Sequence, residues 1–374
     1  MKILIVYASA GAGHRKAAEA VYEAISEKVD KKDIVIIDSL DYSNRLFKWL
    51  YSKKYITLVN YMPVIWGFFY YILDMKIVYS LVRPLRRMIN ALNCWRLEEF
   101  LCNLQPEVVI SCHFMANEVV SHLKEAGRLN CKLFSVVTDY RLHSFWVTPL
   151  VDFYFVAMGR TRADLLKWRV PDNKIYITGV PISPKFSLAL DRKKTRFKLG
   201  LAIDSFVILM IGGGFGVGPV ESLVRSIGAV SKNIQLLVVC GWNRELCEKV
   251  NKAVLKQNIK AKVYGFVNNV DELMSVSDLL ITKSGGLTSS EALAKNLAAI
   301  FIKPIPGQEK RNGVVLEAEG AAFIAYDVAG VRKKVKELMD KPNILKAMSD
   351  SIKALAKPNS ARDIADLVMR FSQS

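Results

Sequence analysis

The chain has 374 residues, 51% of them hydrophobic, with 53 Lys and Arg against 35 Asp and Glu and a formal net charge of +18. That length exceeds what one core usually serves and predicts two domains, and the apolar share excludes a disordered chain. The excess of positive charge predicts an anionic partner, either a membrane surface or nucleic acid.

Strand-like apolar runs recur at 3–8, 34–38, 107–112 and 132–138, then at 206–212, 234–240, 261–266, 278–282, 298–303 and 321–325. Helical patterns separate most of them; after Ala17, the residues Val21, Ala24, Ile25 and Val29 repeat at helical spacing. Alternating β and α elements predict an α/β fold of two doubly wound, Rossmann-like domains, each a parallel sheet covered on both faces. Each would hold a ligand crevice at the C-terminal ends of its strands. The stretch 179–200, with two prolines and the run LDRKKTRFK, reads as a linker. The expected domains are 1–182 and 183–359, with a C-terminal helix at 360–374 packing back on the first.

The opening MKILIVYASA has the lysine, apolar run and small-residue triplet of a secretory leader, but GAGH opens a helix directly after it. It reads as the first strand. His14, one of only four histidines, therefore stands at the first strand–helix turn, just after Gly11 and Gly13, which let backbone approach a ligand. An imidazole there can take a proton near neutrality, bind a phosphate or sugar, or simply pack. Those three readings stay open.

Residues 45–96 break the alternation with nine Lys/Arg, one acid (Asp74) and twelve aromatics. Within them, YITLVNYMPVIWGFFYYIL (55–73) has no charge, nearly the length of a bilayer span. A single crossing would put strands of one sheet on opposite sides of a membrane, so an interfacial segment is the better reading. Its Trp66, Phe68 and Phe69 would enter the headgroup layer, while Arg83, Arg86 and Arg87 meet anionic phospholipid. The plainer alternative is a helical pair buried in the core. Stacking on nucleic acid is set aside because no nucleic-acid module accompanies the stretch.

Further along, VVTDYRLHSFW (136–146) brings Asp139 and His143 from another strand end. Asp139 can orient a base, act as the base, or cap the loop. His113 and His122 match no motif. The six cysteines show no C-x-x-C pair and no metal spacing, and read as reduced thiols of a cytosolic protein.

The second half repeats one device. FVILMIGGGFGVGPVESLV (206–224) and DLLITKSGGLTSSEALAKN (278–296) are each strand, glycine turn and helix, so two helix N-termini can meet a diphosphate. Ser284 is placed as a cap. Glu291 suits the vicinal hydroxyls of a ribose, or merely counters the helix dipole. In KPIPGQEKRN (303–312), Gln308 and Glu309 offer donors and acceptors for sugar hydroxyls, or are surface polar groups.

The order GAGH, TDYRLHSFW, GGGFGVGP, GFV, TKSGGLTSSEAL and PIPGQEKRN resembles the monogalactosyldiacylglycerol synthase and processive diacylglycerol glucosyltransferase family. It is more distantly similar to the GlcNAc transferase that makes the lipid-linked peptidoglycan precursor. The resemblance implies the GT-B glycosyltransferase fold, two domains facing a cleft, with a UDP-sugar held by the second and the lipid acceptor by the first. It implies no metal and no cofactor, because amides and helix dipoles neutralise the leaving diphosphate. Backbone around Phe266 and Val267 would hold uracil, Glu291 the ribose, and Gln308 and Glu309 the hexose. Gly13, Gly213, Gly214, Ser284, Gly285 and Gly286 would lie along the phosphates and sugar. His14, Asp139 and His143 would share the catalytic work.

The expected activity is inverting, metal-independent transfer of a hexose from UDP-glucose or UDP-galactose to 1,2-diacylglycerol. It would occur at the cytoplasmic face of a membrane, on a peripheral enzyme with no nucleic-acid partner. The alternatives are a UDP-GlcNAc transferase acting on a polyprenyl-linked acceptor, a 2-epimerase on the same fold, or a non-catalytic basic membrane binder.

Overall fold

The computed structural model describes residues 1–9, 11–51, 58–59, 61–212 and 218–372. It divides into two units. One comprises Met1–Pro184, Ile305–Arg311 and Asn359–Ser374, the other Lys185–Pro304 and Asn312–Pro358.

The first unit is built on β1 (Ile3–Tyr7), β2 (Ile34–Asp38), β3 (Val108–Ser111), β4 (Lys132–Val136), β5 (Phe153–Val156) and β6 (Ile175–Ile177). They lie side by side in the order β2-β1-β3-β4-β5-β6, every pair parallel. Such a sheet is covered on both faces, which is why β1 reads ILIVY without polar alternation. Leu4, Val6, Val109 and Leu133 pack on one side with Leu97, Leu101, Val119 and Leu123. Ile3, Ile5, Ile110 and Phe134 pack on the other with Val21, Ile25, Ile364 and Val368. The last two belong to the terminal helix Ser360–Ser372, which lies against the helix Ala12–Ser26 within this unit.

The second unit repeats the plan with β7 (Phe206–Ile211), β8 (Ile234–Val239), β9 (Ala261–Tyr264), β10 (Leu279–Thr282), β11 (Ala299–Ile302) and β12 (Ala322–Ala325). Their order is β12-β11-β10-β7-β8-β9, again all parallel. In each sheet the chain runs outward on one side of its first strand and then returns to the other side. The reversal falls between β1 and β3, and between β7 and β10. Those are the places where a doubly wound sheet opens a crevice.

Ten strands are legible in the sequence, and β5 and β6 are the additions. β5 follows Leu150, a leucine in the left-handed region (φ 58°) at a turn that lacks the usual glycine. β6 has three residues at the sheet edge.

The basic aromatic insert folds as Arg45–Trp49, Pro63–Leu73 and Lys76–Asn93 among its described residues. Pro63 starts the second helix, where its missing N–H costs nothing. The second and third helices meet at 96°. Eleven helical residues reach about 16 Å, half of a hydrocarbon core of about 30 Å. No single helix among the described residues is long and apolar enough to cross a membrane.

One expected membrane contact is corrected here. Arg86 turns inward from Lys76–Asn93, with Nε 2.7 Å from the buried Glu118 carboxylate. Asn90 donates to the same oxygen at 2.9 Å, and the guanidinium lies 4.2 Å over the Phe145 ring. Removing one member of a buried ion pair costs about 3–5 kcal/mol, since its partner stays charged and dry. Arg86→Met should therefore destabilise the first unit by about that much, and adding Glu118→Leu should recover most of the loss. Denaturant unfolding of both variants checks this; a single variant as stable as the parent would show that the pair does not hold the insert.

Candidate active site

β1 runs straight to the turn before Ala12–Ser26. That helix starts after Gly11 with extended backbone (φ −171°), no side-chain cap and no acid in its first turn. A Cβ on Gly11 would meet open space, so nothing in the protein itself demands glycine there. The positive end of the helix is left without a countercharge of its own.

His14 is half-buried in the first turn. Its Nδ1 lies 2.9 Å from the carbonyl oxygen of Cys112, just past β3, and 3.1 Å from Thr138 Oγ1. A carbonyl can only accept, so Nδ1 carries the proton and Nε2 keeps its lone pair. Burial lowers the His14 pKa below the usual imidazole value, and the Asp139 carboxylate and the Cys112 carbonyl oppose that shift without cancelling it. The ring is thus neutral near pH 7. It stands edge-on to His113 at 4.8 Å.

Asp139, in the loop after β4, is buried and accepts a hydrogen bond from the Gln308 side-chain amide. Both residues belong to the first unit, because Ile305–Arg311 packs there. Glu309 accepts from the Ile305 backbone at 3.0 Å, closing its own loop.

His143 has both nitrogens committed. Its Nδ1 accepts from Phe145 N–H at 3.2 Å and its Nε2 donates to the Tyr70 carbonyl at 3.1 Å. Burial brings its pKa down to about 4, outweighing Asp74 and the Tyr70 bond. In this arrangement it pins the helix Pro63–Leu73 to the 143–146 turn, with no lone pair left for chemistry. His113 is the N-cap of Phe114–Glu125, where its Nδ1 accepts from Met115 at 3.2 Å.

Sequence reasoning missed the other half of that pin. Asp74, the lone acid of the insert, accepts from Ser144 N at 2.6 Å and pairs with Arg311 at 2.6 Å. Arg311 also donates to the Leu142 carbonyl at 3.2 Å and lies 5.0 Å over Tyr70. Gly307 (φ 101°) allows the Tyr70 ring to lie close against this loop; any Cβ there would come within 2.9 Å of it. These partners are far apart in the chain, and no local pattern announces them.

In the second unit, Gly213 and Gly214 lie outside the described residues. The other phosphate turn starts one residue later than expected. Gly285, not Ser284, is the N-cap of Gly286–Ala294, and no side chain caps it. Ser284 is instead fully buried, and Gly313 leaves room for it, a Cβ there falling 3.3 Å from its hydroxyl. Glu291 is half-buried in the second turn of the same helix. After β9, Val267 is half-buried while Phe266 is exposed and stacked on Trp242 at 4.4 Å and 13°. Trp242, past the end of β8, was not anticipated.

In the insert, Phe68 and Phe69 are 61% and 52% exposed, whereas Trp66 is half-buried near Tyr70. Arg87 pairs with Glu125, and Arg83 makes no ion pair among the described residues.

Residues 14–182 match the model of the monogalactosyldiacylglycerol (MGDG) synthase family, and residues 207–368 match the glycosyltransferase family 28 C-terminal domain. The processive diacylglycerol beta-glucosyltransferase of Bacillus cytotoxicus is 31% identical over 98% of this chain and 93% of that protein. Among solved structures, Acinetobacter baumannii MurG covers 99% of both chains at 15% identity and a TM-score of 0.64. The UDP co-structure of Staphylococcus aureus MnaA covers 100% of this chain and 97% of its own, at 14% identity and the same score. The two wound sheets, the uncapped helix starts at their reversals and the near-full-length relatives together place this chain in the family of MGDG synthases and processive diacylglycerol glucosyltransferases, as a glycosyltransferase of GT-B fold.

Proposed function

We propose that this glycosyltransferase moves a hexose from a UDP-sugar, UDP-glucose ahead of UDP-galactose, onto 1,2-diacylglycerol at a membrane surface, with inversion and without a metal. The observation that carries the reading is the bare Nε2 of His14, set by the bond its Nδ1 makes to Cys112. The names of the relatives support glucose and diacylglycerol. The acceptor hydroxyl gives its proton to Nε2 as its oxygen attacks C1. The C1–O bond to UDP breaks on the opposite face, its electron pair leaving on the diphosphate, so an α-linked donor gives a β-glycoside. Asp139 stabilises the imidazolium that forms. The uncapped N–H groups at the start of Gly286–Ala294 receive the developing negative charge.

Membrane attachment is assigned to the insert on the cytoplasmic face. Phe68 and Phe69 on one helix and Ile77, Leu81, Leu85 and Met88 on the next are exposed, and exposed apolar side chains of this kind suit a membrane contact.

Three outcomes are expected. Incubation with diacylglycerol vesicles and UDP-glucose should give β-glucosyldiacylglycerol, insensitive to chelator. Product made only with UDP-GlcNAc and a polyprenyl-linked acceptor would overturn the substrate assignment.

His14→Ala should lower turnover by roughly a hundredfold or more while UDP binding barely changes. In the parent, activity requires neutral His14 and falls as pH drops through its folded pKa, so the acid limb lies below about 6.5. Asp139 raises that pKa, so Asp139→Asn should move the limb further to acid while leaving measurable turnover. Activity lost at every pH would make Asp139 the base.

Phe68→Ser with Phe69→Ser should remove the part of vesicle binding that survives high salt, because apolar insertion is not screened as charge is. Vesicle flotation at low and high salt decides; a double variant that floats like the parent moves the contact elsewhere.

A further inference from the structure

Three segments far apart in the chain close a ring within the first unit. They are the helix Pro63–Leu73 with Asp74 at its end, the 139–146 loop, and the loop Ile305–Arg311. The helix and the last of these loops approach too closely for side chains at their glycines. A Cβ on Gly67 would fall 2.5 Å from Pro306, and one on Gly307 2.9 Å from the Tyr70 ring. Arg311 joins all three segments. One terminal nitrogen of its guanidinium serves the Asp74 carboxylate at 2.6 Å and the Leu142 carbonyl at 3.2 Å. Its flat face lies 5.0 Å over Tyr70 and 5.0 Å over Tyr71. The Arg311 and Asp74 side chains are only 21% and 19% exposed, so water screens their attraction weakly. Asp74 in turn accepts from Ser144 N–H at 2.6 Å. On the other side, Arg311 N–H donates to the Gly307 carbonyl at 3.0 Å, and the next residue, Gln308, donates from its side chain to Asp139. The ring therefore runs from Asp139 along its own loop to Ser144, through Asp74 and Arg311 to Gln308, and back to Asp139.

We infer that Arg311 is a positioning residue for the transfer reaction: held by Asp74, it fixes the loop from which Gln308 donates to Asp139, and so fixes the Asp139 carboxylate. A glutamine side chain loses much rotamer freedom when its amide is held, so the backbone that carries it has to be placed first. The ion pair supplies that placement. It ties the Gln308 loop to the same 139–146 segment that carries Asp139, and in a closed ring one broken link loosens the rest. Arginine suits the task because a planar cation can hydrogen-bond at its edge and stack on two tyrosines with its face, whereas an ammonium can only pair with Asp74. The kinetic consequence rests on the transfer reading above; the placement of Gln308 does not.

The test joins a spectrum to kinetics, so the two readings can fail separately. In amide NMR of the isotope-labelled full chain, the Gln308 side-chain amide is identified by its loss in Gln308→Ala. In the parent it should show the downfield shift and slow solvent exchange of a donor to a carboxylate. Arg311→Met should return it to the shift and exchange rate of a free glutamine. Asp74→Asn should do the same while keeping an acceptor for Ser144, and it decides the matter if Arg311→Met does not fold. Arg311→Lys, which keeps the charge opposite Asp74, should retain much of the parent signal. With diacylglycerol and UDP-glucose, Arg311→Met should lower kcat about tenfold, the loss expected of one charge-assisted hydrogen bond, and leave UDP affinity unchanged. In a Gln308→Ala background the same substitution should cost nothing more, because Arg311 acts through Gln308; independent effects would multiply. A Gln308 amide that is free in the parent or unmoved in the variants overturns the positioning role, as do losses that multiply or a UDP affinity that falls with kcat. A parent that transfers no hexose overturns the reading above, and the spectrum still decides the placement.

Discussion

The hydrogen bond between His14 and Cys112 depends on the sheet, and the proposed chemistry depends on the bond. Cys112 is the first residue past β3, and its N–H still donates to Val6 of β1 at 2.8 Å. Its carbonyl is then free to point at the helix that leaves β1, and His14 meets it. One residue thus closes the last rung of the parallel ladder and fixes an imidazole tautomer. The geometry needs β1 and β3 to be neighbours, which happens only because the strand order reverses there. A slip of one residue in that pairing would turn Leu4 and Val6 to the wrong face of the sheet, so core burial protects this hydrogen bond.

Three histidines of the first unit differ in their backbone partners, and those partners give them different chemistry. His113 accepts at Nδ1, so its proton is on Nε2. His143 accepts at one nitrogen and donates from the other. Only His14 donates from Nδ1, which leaves a basic lone pair. Burial lowers the pKa of all three. For two of them this keeps a structural ring uncharged; for His14 it keeps the proposed base neutral. Asp139 limits how far the His14 pKa falls, so the ring can still hold a proton once it has taken one.

What was legible in the sequence was local. Unbroken apolar runs gave ten of the strands in the two sheets, because buried parallel strands need that composition, while the strand order and its reversals are visible only in the structure. His14 stood out because a rare residue occupied the turn of the first such run. The Asp74–Arg311–Ser144 cluster and the Trp242–Phe266 stack were hidden, since each joins residues far apart that no periodicity links. Ser284 misled for a different reason. Serine is a common N-cap, but Gly285 takes that place and Ser284 is buried, leaving the helix end bare.

The helix Lys76–Asn93 shows why residue type alone could not assign the insert's arginines. Successive residues advance by about 100°, so Arg87 lies about 40° from Arg83 while Arg86 lies about 60° to its other side and 100° from Arg87. That rotation is enough to take Arg86 into the core, beside Glu118. Arg83 and Arg87 line a groove beside the 147–151 loop, and only Arg87 finds a carboxylate there. Tyr79 and Asn90 are buried like Arg86, at spacings of seven and four residues that keep them on its face. Ile77, Leu81, Leu85, Met88 and Leu92 repeat by three and four along the exposed side. One helix therefore carries an inward polar anchor, a basic wall and an apolar outer stripe. The anchor makes the other two useful: a helix held by a dry ion pair presents its arginines and its apolar stripe at fixed angles. A helix held only by apolar contacts could roll and exchange one face for the other.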